Sequence, residues 1–232
     1  MTQKRLTKSW LRNHVSYSWW KYLMVVCFSV LGVNLLFTVT EYRVPEDKKI
    51  EVYMLNGFAQ AQQLQDELFP LFLAQCPDQE ELTVANINLT GSDIYAYMQF
   101  STYIAAKQGD VCVIPKGEIL KLAADGAEHA FVELTPYIES GVINPKGIDL
   151  SAGMFKNEAG EMGLYAIPAD TLYGLVDYGN DPAGGYLAMF AHGGNDEHAA
   201  AVVNLMIEQF HSEKPEEYDE LHRSIQNQST FF

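Results

Sequence analysis

The segment Tyr22–Val39, YLMVVCFSVLGVNLLFTV, constrains this chain more than any other stretch. Its eighteen residues carry no charge, and Ser29, Asn34 and Thr38 are its plainly polar side chains. At about 1.5 Å rise per residue, a helix of this length roughly crosses the hydrocarbon core of a bilayer. The core helix of a water-soluble domain would carry a polar face. The flanks are asymmetric: Lys4, Arg5, Lys8, Arg12 and Lys21 precede the run without an acid, while Glu41, Arg43, Glu46 and Asp47 follow it. Basic residues stay on the cytoplasmic side, which predicts an N-terminus inside and everything after Val39 outside. Trp19, Trp20 and Tyr22 stand where an aromatic belt anchors the inner interface. A cleaved signal peptide has a shorter apolar core and a small-x-small exit. The exit here, Phe37-Thr38-Val39-Thr40-Glu41-Tyr42, has no such site, and Met24-Val25-Val26 before Cys27 does not fit a lipobox. The expectation is an uncleaved membrane anchor.

This divides the chain into a short basic cytoplasmic segment (1–21), the anchor (22–39), a linker (40–48), a folded domain (49–211) and a C-terminal helix and tail (212–232). The part beyond the anchor is long enough for one domain. It carries all 30 acids but only ten of the 15 basic residues, a formal charge of −20. So acidic a surface argues against nucleic acid and anionic lipid as partners. Of three cysteines, Cys27 lies in the anchor; Cys76 and Cys112 are either a pair or two buried thiols.

Past the linker, Ile50–Leu55 alternates and stops at Asn56-Gly57, a strand and its turn. Phe58–Gln75 has helical spacing, and Pro70 should kink or end it. Leu82–Leu89 reads as a second strand. Ser92 serves as N-cap for a helix closed by Gly109, in which Tyr95, Tyr97, Met98, Phe100 and Tyr103 are unusually aromatic. Asp110–Pro115 is a buried third strand, and Lys116–Ala124 a short helix. Residues 142–163 read as loop. Leu164–Pro168, Leu172–Tyr178 and Tyr186–Ala191 read as strands, the last two joined at Asp181-Pro182-Ala183-Gly184-Gly185. Asn195 or Asp196 caps a helix through Phe210, Pro215 opens one more, and Ser224–Phe232 reads as a frayed end. Strands alternating with helices predict an α/β fold, a mainly parallel sheet with flanking helices, preceded by one transmembrane helix.

Three segments in this order resemble bacterial extracellular solute-binding proteins of the ABC-transporter type. They are Asp110-Val111-Cys112-Val113 as third strand, Phe131–Gly141 (FVELTPYIESG), and Gly163–Pro168 followed by Leu175–Asn180. Such proteins continue into a second lobe after the last of these. Here Asp181–Gly185 leads straight to Tyr186–Ala191, and Asn195-Asp196-Glu197-His198-Ala199-Ala200 resembles a helix that comes late in the family. The resemblance therefore implies a single periplasmic-binding-protein-like lobe without its second half. It implies a small solute such as a sugar as ligand, and a membrane protein as partner.

Ligands of open α/β sheets sit beyond the carboxyl ends of the strands. That places Asn56, Phe58, Asn88, Ser92, Asp93, Lys116, Asp170 and Tyr173 near a surviving cleft, although each also suits a turn or a cap. Where the second lobe would have grown, Tyr173, Tyr178 and Tyr186 should form an exposed aromatic edge for a protein partner. No catalytic constellation stands out: G-x-S-x-G, H-E-x-x-H and a Gly-rich phosphate loop are all missing. His192 and His198 lack metal-pair spacing, so no metal or cofactor is expected and the protein reads as a non-enzyme. The other reading is an envelope scaffold without ligand, using the former cleft face for protein contacts.

Overall fold

The computed structural model describes residues 8–57, 59–89, 93–191, 194–220 and 222–223. The chain forms two units, Met1–Arg43 and Val44–Phe232. The first unit is a helix, α1 (Lys8–Thr40), in which Trp19–Thr40 is long and apolar enough to cross a membrane. Within the apolar stretch, Ser29, Asn34 and Thr38 bond back to the helix's own carbonyls. Ser29 Oγ donates to Val25 O (2.8 Å), Asn34 Nδ2 to Val30 O (3.0 Å) and Thr38 Oγ1 to Asn34 O (2.9 Å). Back-bonding of this kind satisfies a hydroxyl or amide without a partner outside the helix.

In the second unit, β1 (Lys49–Met54), α2 (Ala61–Gln75), β2 (Glu81–Asn86), α3 (Ile94–Ala105), β3 (Val111–Pro115) and α4 (Lys116–Leu122) follow in turn. After α5 (Thr135–Glu139) come β4 (Met154–Lys156), β5 (Met162–Leu164), β6 (Ala166–Pro168), β7 (Gly185–Met189) and α6 (Asp196–Phe210). The main sheet has five strands in the order β2-β1-β3-β7-β6. β2 and β3 both run parallel to β1, β7 runs antiparallel to β3, and β6 antiparallel to β7. The sheet is therefore mixed in its pairings, yet every strand except β7 points the same way.

Strand alternation sorts the core onto two faces. Val52, Met54, Val111, Val113, Leu187 and Met189 pack with Leu64, Leu68 and Phe72 of α2 and Val203, Met206 and Phe210 of α6. Their neighbours Tyr53, Leu55, Cys112, Ile114, Tyr186 and Ala188 pack on the other face with Phe100 of α3, Ile119 of α4, Phe131 and Phe190. Cys76 belongs to the first cluster and Cys112 to the second, and both thiols are free.

Several expectations change here. Of the two outcomes allowed at Pro70, a kink or an end, the end does not occur: the helix runs through it to Gln75, as its spacing predicts. Leu68 and Phe72, fully buried on either side of Pro70, hold both turns against the sheet, which offsets the ~3 kcal/mol an interior proline costs. The N-cap of α3 is Asp93, whose Oδ1 accepts from Tyr95 N at 2.8 Å; Ser92 lies outside the described residues. Part of the expected loop 142–163 is a hairpin, β4 with β5. The expected strand Leu172–Tyr178 is 3-10 helix over Tyr173–Tyr178. Gly174 lets that turn approach α6 so closely that a Cβ there would lie 2.9 Å from Phe210 Cα. Consequently β7 has no hairpin partner in that segment and lies between β3 and β6, inside the sheet.

Candidate functional site: the carboxyl end of the sheet

Strand order reverses beside β1, because β2 lies on one side of it and β3 on the other. The crevice at such a switch point is where open α/β sheets hold ligands. Asn56, just past β1, and Pro115-Lys116, at the end of β3, flank it. The loop leading into β7 crosses the same place. Asn56 Nδ2 donates to Asp181 O (2.9 Å), Asn180 Nδ2 donates to Asn56 Oδ1 (3.0 Å), and Lys116 N donates to Gly184 O (3.0 Å). Asp170, after β6, accepts from Gly184 N at 2.8 Å. Asn56 and Asn180 are both buried, so these bonds are what makes their burial affordable.

Asp181 is the centre of this end. Its side chain is only 12% exposed, and its Oδ2 stands 2.6 Å from His222 Nδ1. Its Oδ1 accepts from Tyr218 OH at 2.8 Å and from Ala183 N at 3.1 Å. Tyr173 packs edge-on against the Tyr218 ring, with centroids 4.8 Å apart. Burial, and after it the Asp181 carboxylate, push the Tyr218 phenol well above its ordinary range. Thr171 ties the end of α6 to the same loop through His211 Nδ1 (3.0 Å, side chain to side chain) and Ser212 N (3.2 Å, to Thr171 O).

The structure thus brings Asn56, Lys116, Asp170 and Tyr173 to one end. Asp93 is occupied as a helix cap. Asn88 is half-buried just beyond β2. Phe58, Ser92 and His192 lie outside the described residues. The expected exposed aromatic edge is not formed: Tyr186 is 5% exposed in a wholly buried strand. Tyr178 is half-buried, with its hydroxyl donating to Glu67 Oε2 at 2.6 Å and its ring against Phe210. These tyrosines are spent on packing because β7 is internal. Asp181, Tyr218 and His222 were not singled out from sequence; only the turn-forming character of Asp181-Pro182 marked that loop.

An exposed apolar patch lies on α3 instead. Ile94 is 72% exposed, Tyr95 81% and Met98 61%, one face at helical spacing. Tyr103, on the opposite side, is half-buried against Tyr53 (5.4 Å between centroids).

Three further polar groupings are explained by local bonding. At the amino end of the strands, a pocket of about 310 Å³ is lined by Glu46, Lys49, Glu51, Lys107 and Asp110. There Lys49 Nζ pairs with Glu46 and Glu51, and Asp110 Oδ2 accepts from Glu51 N. Glu128, His129 and Glu158 bring ligand atoms within 4.8 Å of one another. Glu128 Oε1 accepts from Glu158 N at 2.6 Å, which anchors the β4–β5 turn. His198 Nε2 lies 3.0 Å from Asp78 Oδ2.

No protein-family model and no curated protein matches the chain. Several solved structures are similar to part of it. An extracellular solute-binding protein family 1 from Alicyclobacillus acidocaldarius shares 17% identity over 52% of this chain and 28% of its own, with a TM-score of 0.37. An ABC substrate-binding protein from Listeria monocytogenes in complex with cycloalternan shares 20% identity over 51% of this chain and 28% of its own, with a TM-score of 0.38. The maltose-bound MalE3 of T. maritima shares 19% identity over 52% of this chain and 28% of its own, with a TM-score of 0.34. The chain spans under a third of the length of these structures.

Proposed function

We propose that this chain is a membrane-tethered, extracytoplasmic, solute-binding-like domain of one lobe, acting beside a membrane partner. The apolar helix Trp19–Thr40 with its basic N-terminal flank supports a single-pass anchor with the N-terminus in the cytoplasm. The observation that carries the binding role is the carboxyl end of the sheet. Strand order and direction support a ligand face at this end, where Lys116, Asp170, Asp181 and the Tyr173 ring keep accessible surface and the buried Asn56–Asn180 pair fixes the loop beneath them. Such groups suit a small hydroxylated solute, and sugars are the class proposed. Binding is the role proposed; the Cys112 thiol, sealed in the core and pushed up by burial, is no candidate nucleophile. Titration of the full-length protein in detergent with maltose and with mannotriose, by calorimetry, tests this. Saturable one-to-one binding supports it. Silence toward both sugars, also in a variant whose C-terminal segment is released, overturns it.

A second reading, the protein-interaction module, is favoured by the α3 patch. α3 follows β2 across residues 87–93, so its first turn, with Ile94 and Tyr95 exposed, lies toward the carboxyl end of β2. A photo-crosslinking residue at Tyr95 should trap a membrane protein in intact cells, and Tyr95→Glu should abolish co-purification of that protein. Unchanged co-purification with the folded variant would sink this reading.

A further inference from the structure

We infer that Asp181 and Tyr173 form a binding site for a hydroxyl-bearing ring, and that the chain's own Tyr218 occupies it as a displaceable intramolecular ligand. This rests on the reading of the carboxyl end as the ligand face. The geometry is that of a ligand in a site. A ring lies edge-on against Tyr173 at 4.8 Å, and its hydroxyl donates to a carboxylate oxygen at 2.8 Å. An acid that accepts from a hydroxyl beside an aromatic wall is equally suited to a sugar ring, because neither contact requires a phenol. The loop that presents Asp181 is fixed without the C-terminal segment. Asn56, Lys116 and Asp170 bond its backbone, and Ala183 N holds Asp181 Oδ1.

The segment that delivers Tyr218 is, by contrast, loosely held. Residues 212–217, 219 and 220 are exposed, and Tyr218 alone among 212–220 is buried, at 7%. Two contacts bind it to Asp181, the Tyr218 hydroxyl and His222 Nδ1. Among the described residues, Ser212 N also donates to Thr171 O at the base of the segment, and bonds such as Lys214 Nζ to Asp219 Oδ1 at 2.7 Å are internal to it. One aromatic anchor on an otherwise solvated strap can leave without disturbing the core. While it stays, the apparent affinity for any other ligand falls by the fraction of molecules in which the site is free. The strap therefore sets the threshold for solute binding.

The test uses the full-length protein in detergent, with maltose and mannotriose as probes. Calorimetry is run on the wild type, Tyr218→Ala, Tyr218→Phe and Asp181→Asn, each checked for folding by circular dichroism. Hydrogen exchange at 212–223 reports whether the strap has released. The expected result is at least tenfold tighter sugar binding by Y218A than by the wild type, an intermediate gain in Y218F, and loss of binding in D181N. If Y218A fails to fold, Y218F carries the comparison. Equal affinity of wild type and a released variant overturns the intramolecular ligand while leaving solute binding standing. Sugar binding that survives in folded D181N overturns the assigned site. If released, folded variants bind neither sugar, the solute-binding reading fails and this inference falls with it.

Discussion

Asn180 donates its side-chain amide to Asn56 Oδ1 across a sequence separation of 124 residues, at 3.0 Å and fully inside the domain. Asn56 in turn donates to Asp181 O. One side chain thus joins the end of the first strand to the loop that enters the last. Asn56→Ala removes a donor and an acceptor from a buried site and leaves their partners without them. The expected loss is about 1–3 kcal/mol, read as a lower urea midpoint with an unchanged slope. A midpoint equal to that of the wild type would show that the pair contributes nothing.

Gly153 should tolerate no side chain. A Cβ at this position would fall 1.8 Å from Ala166 O, a backbone atom of β6 that cannot rotate away. Gly153→Ala is expected to lower stability by about 1–3 kcal/mol or more, as overpacking of a rigid site does. Thermal unfolding measures it, and Gly160→Ala, which meets nothing within 4 Å but sits at φ +83, reports the separate cost of backbone strain.

Alkaline pH should loosen the contact between α2 and the turn before β7. Burial, and after it the Glu67 carboxylate, push the Tyr178 phenol up to about 12. In the unfolded chain a phenol titrates near 10. The folded state thus holds this proton more tightly. Its contribution is complete below about pH 10 and is lost as pH rises toward about 12. Tyr178→Phe should therefore flatten the fall in stability across that window, without abolishing it, since burial raises Tyr53 and Tyr218 too. An unchanged pH profile in Y178F would refute the assignment.

Cys76 and Cys112 should stay reduced under oxidising conditions. They sit in core clusters on opposite faces of the sheet, whereas a disulfide needs Cα atoms within about 7 Å. Non-reducing electrophoresis should show no internal crosslink, and thiol reagents should reach both only after unfolding. A crosslinked native species would contradict the packing.

The proposed topology has its own test. Protease added outside intact cells should remove the acidic domain and leave residues 1–21 protected; the reverse pattern would invert the assignment.

What could be read from sequence followed how local each signal was. β1, β3 and β7 are runs of alternating or continuous apolar residues, and α2 and α6 carry their apolar residues at helical spacing, so periodicity alone located them. Tyr173–Tyr178 misled because a short apolar run does not distinguish a strand from a turn packed on a helix. Leu175 and Val176 are adjacent yet both buried, which an alternating strand with one wet face would not allow. The β4–β5 hairpin escaped because its strands have three residues each. The candidate site was legible only in part. Asn56, Lys116, Asp170 and Tyr173 follow from where strands end, but Asp181 owes its role to Tyr218, a residue 37 positions away. No local pattern encodes such a pairing.

The position of β7 has a consequence for how the domain is made. It is the last strand among the described residues, yet it sits between β3 and β6 and supplies the hydrogen-bond partner of both. As the chain is made, the earlier strands emerge with an open edge on β3 and nothing to seat β6. The sheet can close only when residues 185–189 are available to it. Until then the nascent chain exposes unpaired strand edges that need shielding, and closure of the sheet is a late event.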